Sequence, residues 1–298
     1  MNHDALSTGA HAIPINGIEQ RYHIAGHGPL CIAHSGGPGA DWEYLRMPLV
    51  EQHLTMMYVE PIGSGSSGRL PDHPRGYSVE RFSAQLNGLL EALDLSDVLL
   101  LGHSHGGFVV QHYALAHPER VAGIILYETS AVTGGEFMKA AGEGVAAFAQ
   151  RHAGHPEAEE VLKAWQSIPA MSSDSDYTAA MQGLLPVYFA DHRRADIPFD
   201  EIRSSIRATL VIGDNLPFDV RDALPGLAKP ALILVGDHDF ICGPRWADIL
   251  HDLVPDARLV RFADSGHFVH VEQAQEFAEA IAAFASRNGT ARRAGIGK

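Results

Sequence analysis

The 298-residue chain is predicted to fold as an α/β protein, a mostly parallel sheet with helices on both faces and an inserted helical segment. Three observations predict it. Short apolar runs alternate with helical patterns from residue 30 to residue 130, and the same alternation returns from residue 231 to residue 286. Between them, over 131–224, it stops: this stretch is rich in Ala, Met, Gln, Asp and Glu and is broken by Gly154, Pro156, Pro169, Pro186 and Pro198. The glycine-rich and polar loops follow strands, so they can converge on the C-terminal edge of the sheet. The expected organisation is a discontinuous core, 1–130 and 225–290, a helical insertion, 131–224, and a disordered basic tail, 291–298.

Each element has its own warrant. Ala12 to Ile24 alternates around Asn16-Gly17, a hairpin turn dipeptide, and is expected at the sheet edge. Leu30 to His34 and Leu54 to Val59 are apolar enough for buried strands. Asp41 to Glu51 is read as a helix. Ser78 to Leu93 carries Val79, Phe82, Leu86, Leu89, Leu90 and Leu93 at helical spacing. Val98 to Leu101 is the central strand, followed at once by Gly102-His103-Ser104-His105-Gly106 and then by a helical pattern that Pro118 stops. Val121 to Leu126, Ala231 to Val235 and Ala257 to Phe262 complete the sheet, with helices over Pro244 to Val254 and Glu272 to Ser286.

Composition narrows the function. Hydrophobic residues make up 46% and charged residues 19%, the balance of a globular protein. There are 22 basic and 36 acidic residues, a net charge of -14, which argues against nucleic acid and anionic membrane surfaces as partners. Two cysteines, Cys31 and Cys242, make neither a disulfide framework nor a metal-ligand spacing. The start, MNHDALSTGAHAIP, has no basic region followed by an apolar stretch, and the cytoplasm is the expected location.

The chemistry centres on Ser104. A strand, a sharp turn and a helix with Gly-x-Ser-x-Gly at the turn is the setting of a nucleophile elbow, in which glycines at positions 102 and 106 avoid collision with neighbouring backbone. A serine nucleophile needs a base, and the base an orienting acid. Gly236-Asp237-His238-Asp239 follows the penultimate core strand and Ala263-Asp264-Ser265-Gly266-His267 the last. The expected set is Ser104, Asp239 and His267, with Asp237 the competing acid and His270 the competing base. The oxyanion donors should be the backbone N–H of His105 and of Gly37, in the loop Ser35-Gly36-Gly37-Pro38-Gly39. Gly36, Glu128 and Phe240 are the candidate substrate contacts. Glu128, just past a strand, could hold a substrate cation or serve as a rim or capping carboxylate. No cofactor and no metal is called for.

These stretches resemble the α/β-hydrolase fold and, more narrowly, the proline iminopeptidase family: SGGPG at 35–39, EPIGSGSSGR at 60–69, GHSHGG at 102–107, GDHDFICGP at 236–244 and DSGHFVHVEQ at 264–273. The chain departs from the family pattern at Ser35, which stands where a His is usual, and at Glu60 and Ile62, which replace an Asp and an Arg. The resemblance implies a serine hydrolase with a helical cap that removes an N-terminal residue from a small substrate or short peptide. Some members place an acidic residue directly after the triad acid, to hold the substrate's α-amino group; here that residue is Phe240. An esterase, lactonase or thioesterase acting on a small hydrophobic acyl group, or a non-hydrolytic acyl transferase, is the alternative. A base at His267 predicts that kcat/KM falls as pH drops through the ordinary imidazole range, roughly 6–7.

Overall fold

A computed structural model describes residues 5–213 and 216–288, so the tail at 291–298 lies outside the described residues. The elements in chain order are β1 (Gly9–Ile15), β2 (Ile18–Gly26), β3 (Leu30–His34), β4 (Thr55–Glu60), α1 (Val79–Ala92), β5 (Val98–His103), α2 (His105–Ala116) and β6 (Val121–Tyr127). Four helices follow, α3 (Gly135–Arg151), α4 (Pro156–Ser167), α5 (Asp174–Leu184) and α6 (Phe199–Ser205). The core resumes with β7 (Ala231–Gly236), α7 (Pro244–Leu253), β8 (Ala257–Phe262), the short α8 (Val269–Glu272) and α9 (Ala274–Asn288).

The eight strands form one sheet in the order β1-β2-β4-β3-β5-β6-β7-β8. The β1–β2 and β2–β4 pairs are antiparallel and the other five are parallel. Asn16 and Gly17 both take positive φ, as the two-residue turn between β1 and β2 requires. The 3.6- and 2-residue periods divide the core into two layers. Leu100, Ile124, Leu126 and Ile233 meet α1 and α2 through Leu86, Leu89 and Val109. Their neighbours Leu99, Leu101, Ile125 and Leu234 point the other way, onto Phe277, Ile281 and Phe284 of α9. A sheet buried on both faces explains why its strands read as unbroken apolar runs.

One expected element is not formed. Asp41 to Glu51 is not a helix but two 3-10 turns, Trp42–Leu45 and Val50–Gln52. Pro48 is the cause: it disfavours helical backbone at Met47 and removes an N–H from the middle of the segment. The helix of Ser78 to Leu93 forms as expected, with Ser78 as N-cap accepting from the Arg81 N–H at 3.3 Å. The stretch between β6 and β7 is helical and has its own apolar cluster, including Val145, Phe148, Val161, Leu184 and Phe189, joined to the core through Phe268.

Candidate active site

Ser104 lies between β5 and α2 with φ 53° and ψ -119°, a strained backbone for a residue that bears a Cβ. The surroundings hold it there. Its N–H donates to Tyr127 O at 3.0 Å and its carbonyl accepts from Thr129 Oγ1 at 2.8 Å, both from the end of β6. The flanking glycines are steric necessities. A Cβ at Gly102 would overlap the Gly106 carbonyl, and one at Gly106 would overlap the carbonyl oxygens of His34 and Ser35. Gly106→Ala is therefore expected to cost about 3 kcal/mol of stability through overpacking, read as a fall in the urea midpoint. It should also lower activity, because the displaced His34 and Ser35 lead into the loop of Gly36 and Gly37.

Asp239 and His267 meet as their spacing predicts. His267 Nδ1 donates to Asp239 Oδ2 at 2.7 Å, and both side chains are essentially without solvent contact. Asp239 Oδ1 also accepts from the Ile241 N–H at 2.9 Å. Burial works to raise the Asp239 carboxyl, but the facing imidazole and these hydrogen bonds outweigh it and hold the group below its ordinary range. The competing acid, Asp237, is part-exposed and faces Arg261 at 3.9 Å. His267 itself is seated by its N–H, which donates to Tyr188 O at 2.6 Å, and by Glu272, whose Oε2 accepts from the Gly266 N–H at 2.7 Å.

The rival histidines are committed elsewhere. His103 Nδ1 pairs with Tyr44 Oη at 2.7 Å and its Nε2 with His267 O at 3.1 Å. His270 uses both ring nitrogens, on Tyr127 Oη at 2.8 Å and Tyr44 O at 2.8 Å. His105 is half-buried against Phe82 and Phe108, and desolvation lowers its imidazole to about 3.

A cavity of about 280 Å³ lies over Ser104 and His267. Gly36 and Gly37 border it on the core side, while the insertion supplies Trp165, Ile168, Met171, Met181 and Leu184, and the core adds Ile241 and Phe268. Asp41, Glu43 and Arg207 are its charged lining. Among the described residues no hydrogen bond joins Ser104 Oγ to His267 Nε2, although both residues line this space. The Ser104 side chain instead touches the Cys242 thiol; hydrogen bonds between a nucleophile and its base commonly tighten only when substrate is present. Gly37 takes φ 120°. The Gly36 N–H is already given to Tyr44 Oη at 2.6 Å. The His105 N–H stands in the first turn of α2, where amides have no partner within the helix.

Two expected substrate contacts are not in this cavity. Glu128 has no solvent exposure and does not line it; its Oε1 accepts from the Gly236 N–H at 2.6 Å, so it cannot hold a substrate cation. Phe240 packs inside the insertion against Tyr188, with ring centroids 4.9 Å apart, while its neighbour Ile241 reaches the cavity. Sequence reasoning missed Tyr44 and Cys242. Tyr44 ties Gly36 to His103 and lies in no recognisable motif. The Cys242 thiol, with Asp239 and His267, forms the one cluster of potential metal ligands among the described residues, the ligating atoms within 4.8 Å of one another. Two of the three are already bonded to each other. The signal that could have found Cys242 is its place in the loop after β7, three residues past Asp239.

Comparison with known proteins places the fold in a family. Residues 28–274 match the family model described as the alpha/beta hydrolase fold. The chain is 28% identical over 281 residues to 2-hydroxy-6-oxo-2,4-heptadienoate hydrolase of Pseudomonas putida, covering 88% of this chain and 90% of that protein. It is 24% identical over 286 residues to proline iminopeptidase of Lactobacillus acidophilus, covering 89% and 94%. Among solved structures, the enol-lactonase of Burkholderia xenovorans superposes with a TM-score of 0.69 at 22% identity, over 93% of this chain and 100% of that one. Strand order, elbow and matched residues lead to one conclusion: the chain belongs to the alpha/beta hydrolase family.

Proposed function

We propose that the protein is a serine hydrolase that cleaves a small ester or amide with an apolar acyl group by way of an acyl-enzyme. The observation that carries this reading is the His267–Asp239 bond of 2.7 Å beside a cavity that Ser104 enters from a helix N-terminus. Ser104 Oγ attacks the carbonyl carbon while His267 Nε2 takes its proton. Asp239 holds the imidazole in the tautomer with its proton on Nδ1 and stabilises the imidazolium that forms. The amides of His105 and Gly37 receive the oxyanion. The imidazolium protonates the leaving group, and water, activated by the same imidazole, releases the acid.

The cavity's chemistry favours an apolar acyl chain. Ile168, Met171, Met181 and Leu184 offer dispersion contacts rather than hydrogen-bond donors to the acyl chain. A second reading, an aminopeptidase, has one observation in its favour: the carboxyls of Asp41 and Glu43 are on the cavity wall, where an ammonium could sit. Burial, together with the charges of Glu43 and Glu60, raises Asp41 to about 6, and a bound ammonium would relieve that cost.

A substrate panel separates the two. Aryl esters of short to medium apolar acids are expected to be cleaved with higher kcat/KM than aminoacyl-arylamides, prolyl-arylamide included. A prolyl-arylamide cleaved faster than every ester in the panel would reverse the order of the two readings.

A further inference from the structure

Glu128 is a buried carboxyl that the mechanism above does not use. It follows β6 directly, with φ 45°, and its N–H donates to Leu234 O of β7 at 3.0 Å. This places its side chain under the loop that carries Asp239. Oε1 accepts the Gly236 N–H at 2.6 Å, whereas Oε2, also shielded from solvent, has no donor to accept from. An ionised carboxylate left with one amide in such a place would be costly; a neutral carboxylic acid has an O–H to give. The acceptor on that loop is the Asp239 carboxyl: Gly236, whose N–H Glu128 holds, accepts the Asp239 N–H at 3.2 Å, and the two carboxyl side chains act on each other directly. Asp239 has taken one bond from Ile241 N–H and one from His267 Nδ1, which leaves lone pairs for a third.

We propose that Glu128 is held as a neutral carboxylic acid that donates its proton to the Asp239 carboxylate, making it a positioning residue that fixes the orienting acid and sets its basicity. This rests on the reading of Asp239 as the acid that orients His267. The surroundings agree with a shared single proton. Burial and the negative charge of Asp239 push Glu128 well above the ordinary carboxyl range, while the Glu128 side chain helps hold Asp239 below it. The other groups facing Glu128 are Tyr127 on its own strand, Cys242 on the Asp239 loop and Glu272 on α8. None of them supplies a cation that would favour ionisation. The arrangement has a direct consequence for the base. A donor on Asp239 draws charge from it, so the imidazolium that forms on His267 in the reaction is held less tightly than it would be beside an undonated carboxylate.

The test uses the full chain with Glu128→Gln and Glu128→Leu. A difference infrared spectrum at neutral pH, wild type minus Glu128→Gln, should show the C=O stretch of a protonated carboxyl. The carboxamide can accept from Gly236 and donate to Asp239, so Glu128→Gln should keep kcat/KM on an aryl ester within about threefold and leave the acid limb of its pH profile in place. Glu128→Leu removes the donor. It should lower kcat by about tenfold to a hundredfold, the worth of a hydrogen bond to a charged group, with little change in KM, and move the acid limb to higher pH. Absence of the infrared band, or an acid limb that moves to lower pH in Glu128→Gln, would mean an ionised Glu128 and overturn the proposal. So would a Glu128→Leu enzyme that loses thermal stability while its acid limb stays where it is. If Glu128→Leu does not fold, the infrared band and the Gln profile still decide. Because the band is read without turnover, its absence in an enzyme that depends on Ser104 and Asp239 rejects this inference alone.

Discussion

Ser104→Ala is expected to lower kcat on an aryl ester by about a million-fold, the loss seen when a triad nucleophile is removed. The reason is that the covalent route disappears altogether. Alanine keeps the Cβ, and no backbone contact of residue 104 depends on the hydroxyl: the Tyr127 and Thr129 bonds are made to its N–H and carbonyl. The fold should therefore survive with an unchanged melting temperature, and KM should change little. What remains is attack by water on a carbonyl polarised by the two amides, still about a thousandfold faster than the reaction in solution. Stopped-flow traces make the comparison sharper. Where deacylation limits turnover, wild type should release a burst of leaving group close to one equivalent per active site, and Ser104→Ala should release none. A burst or a rate near wild type in the variant would remove Ser104 from the mechanism.

The second large effect is Asp239→Asn, with an expected loss of about 10⁴ in kcat from selecting the wrong imidazole tautomer. Asp239 Oδ2 accepts from His267 Nδ1 at 2.7 Å in a place without solvent. A carboxamide can still reach Nδ1, but its N–H group favours an unprotonated Nδ1, which puts the ring proton on Nε2, where Ser104 needs an acceptor. It also removes the charge that stabilises the imidazolium. KM should be nearly unaffected, because Asp239 does not line the cavity. Steady-state kinetics on the same ester, with a thermal melt as control for folding, check both statements. The neighbouring Asp237→Asn is the internal comparison: that side chain faces Arg261 at the surface, and its loss should leave kcat within about twofold.

How far the chain could be read without coordinates depended on the range of the interaction. The hairpin at Asn16-Gly17, the strand Leu30–His34 and the elbow around Ser104 are written locally, in turn chemistry, apolar runs and flanking glycines, and they form where those signals stand. The segment at 41–51 was misread because its apolar spacing suits a helix while Pro48, a single local constraint, forbids one. For Glu128, open between a cation holder and a capping carboxylate, and for Phe240, local pattern could not decide which way the side chain turns. Both follow strands, so both could have faced the cavity. The positive φ of Glu128 and its bond to Gly236 turn it under the Asp239 loop, and the insertion's own core takes up Phe240.

The order of strands and helices, the glycine-flanked serine and the positions of Asp239 and His267 after successive strands were settled by local pattern, because steric limits on backbone and the period of burial act over a few residues. Which carboxyl bonds to which ring, which histidines are free, and what lines the cavity were decided only by packing across the sheet and against the insertion. Residues such as Tyr44 and His103, or Glu128 and Gly236, lie far apart in the chain, and a hydrogen bond between them has no trace in the order of residues. It exists because neighbouring strands and their loops bring the partners together out of water, where an unpaired polar group is too costly to leave alone.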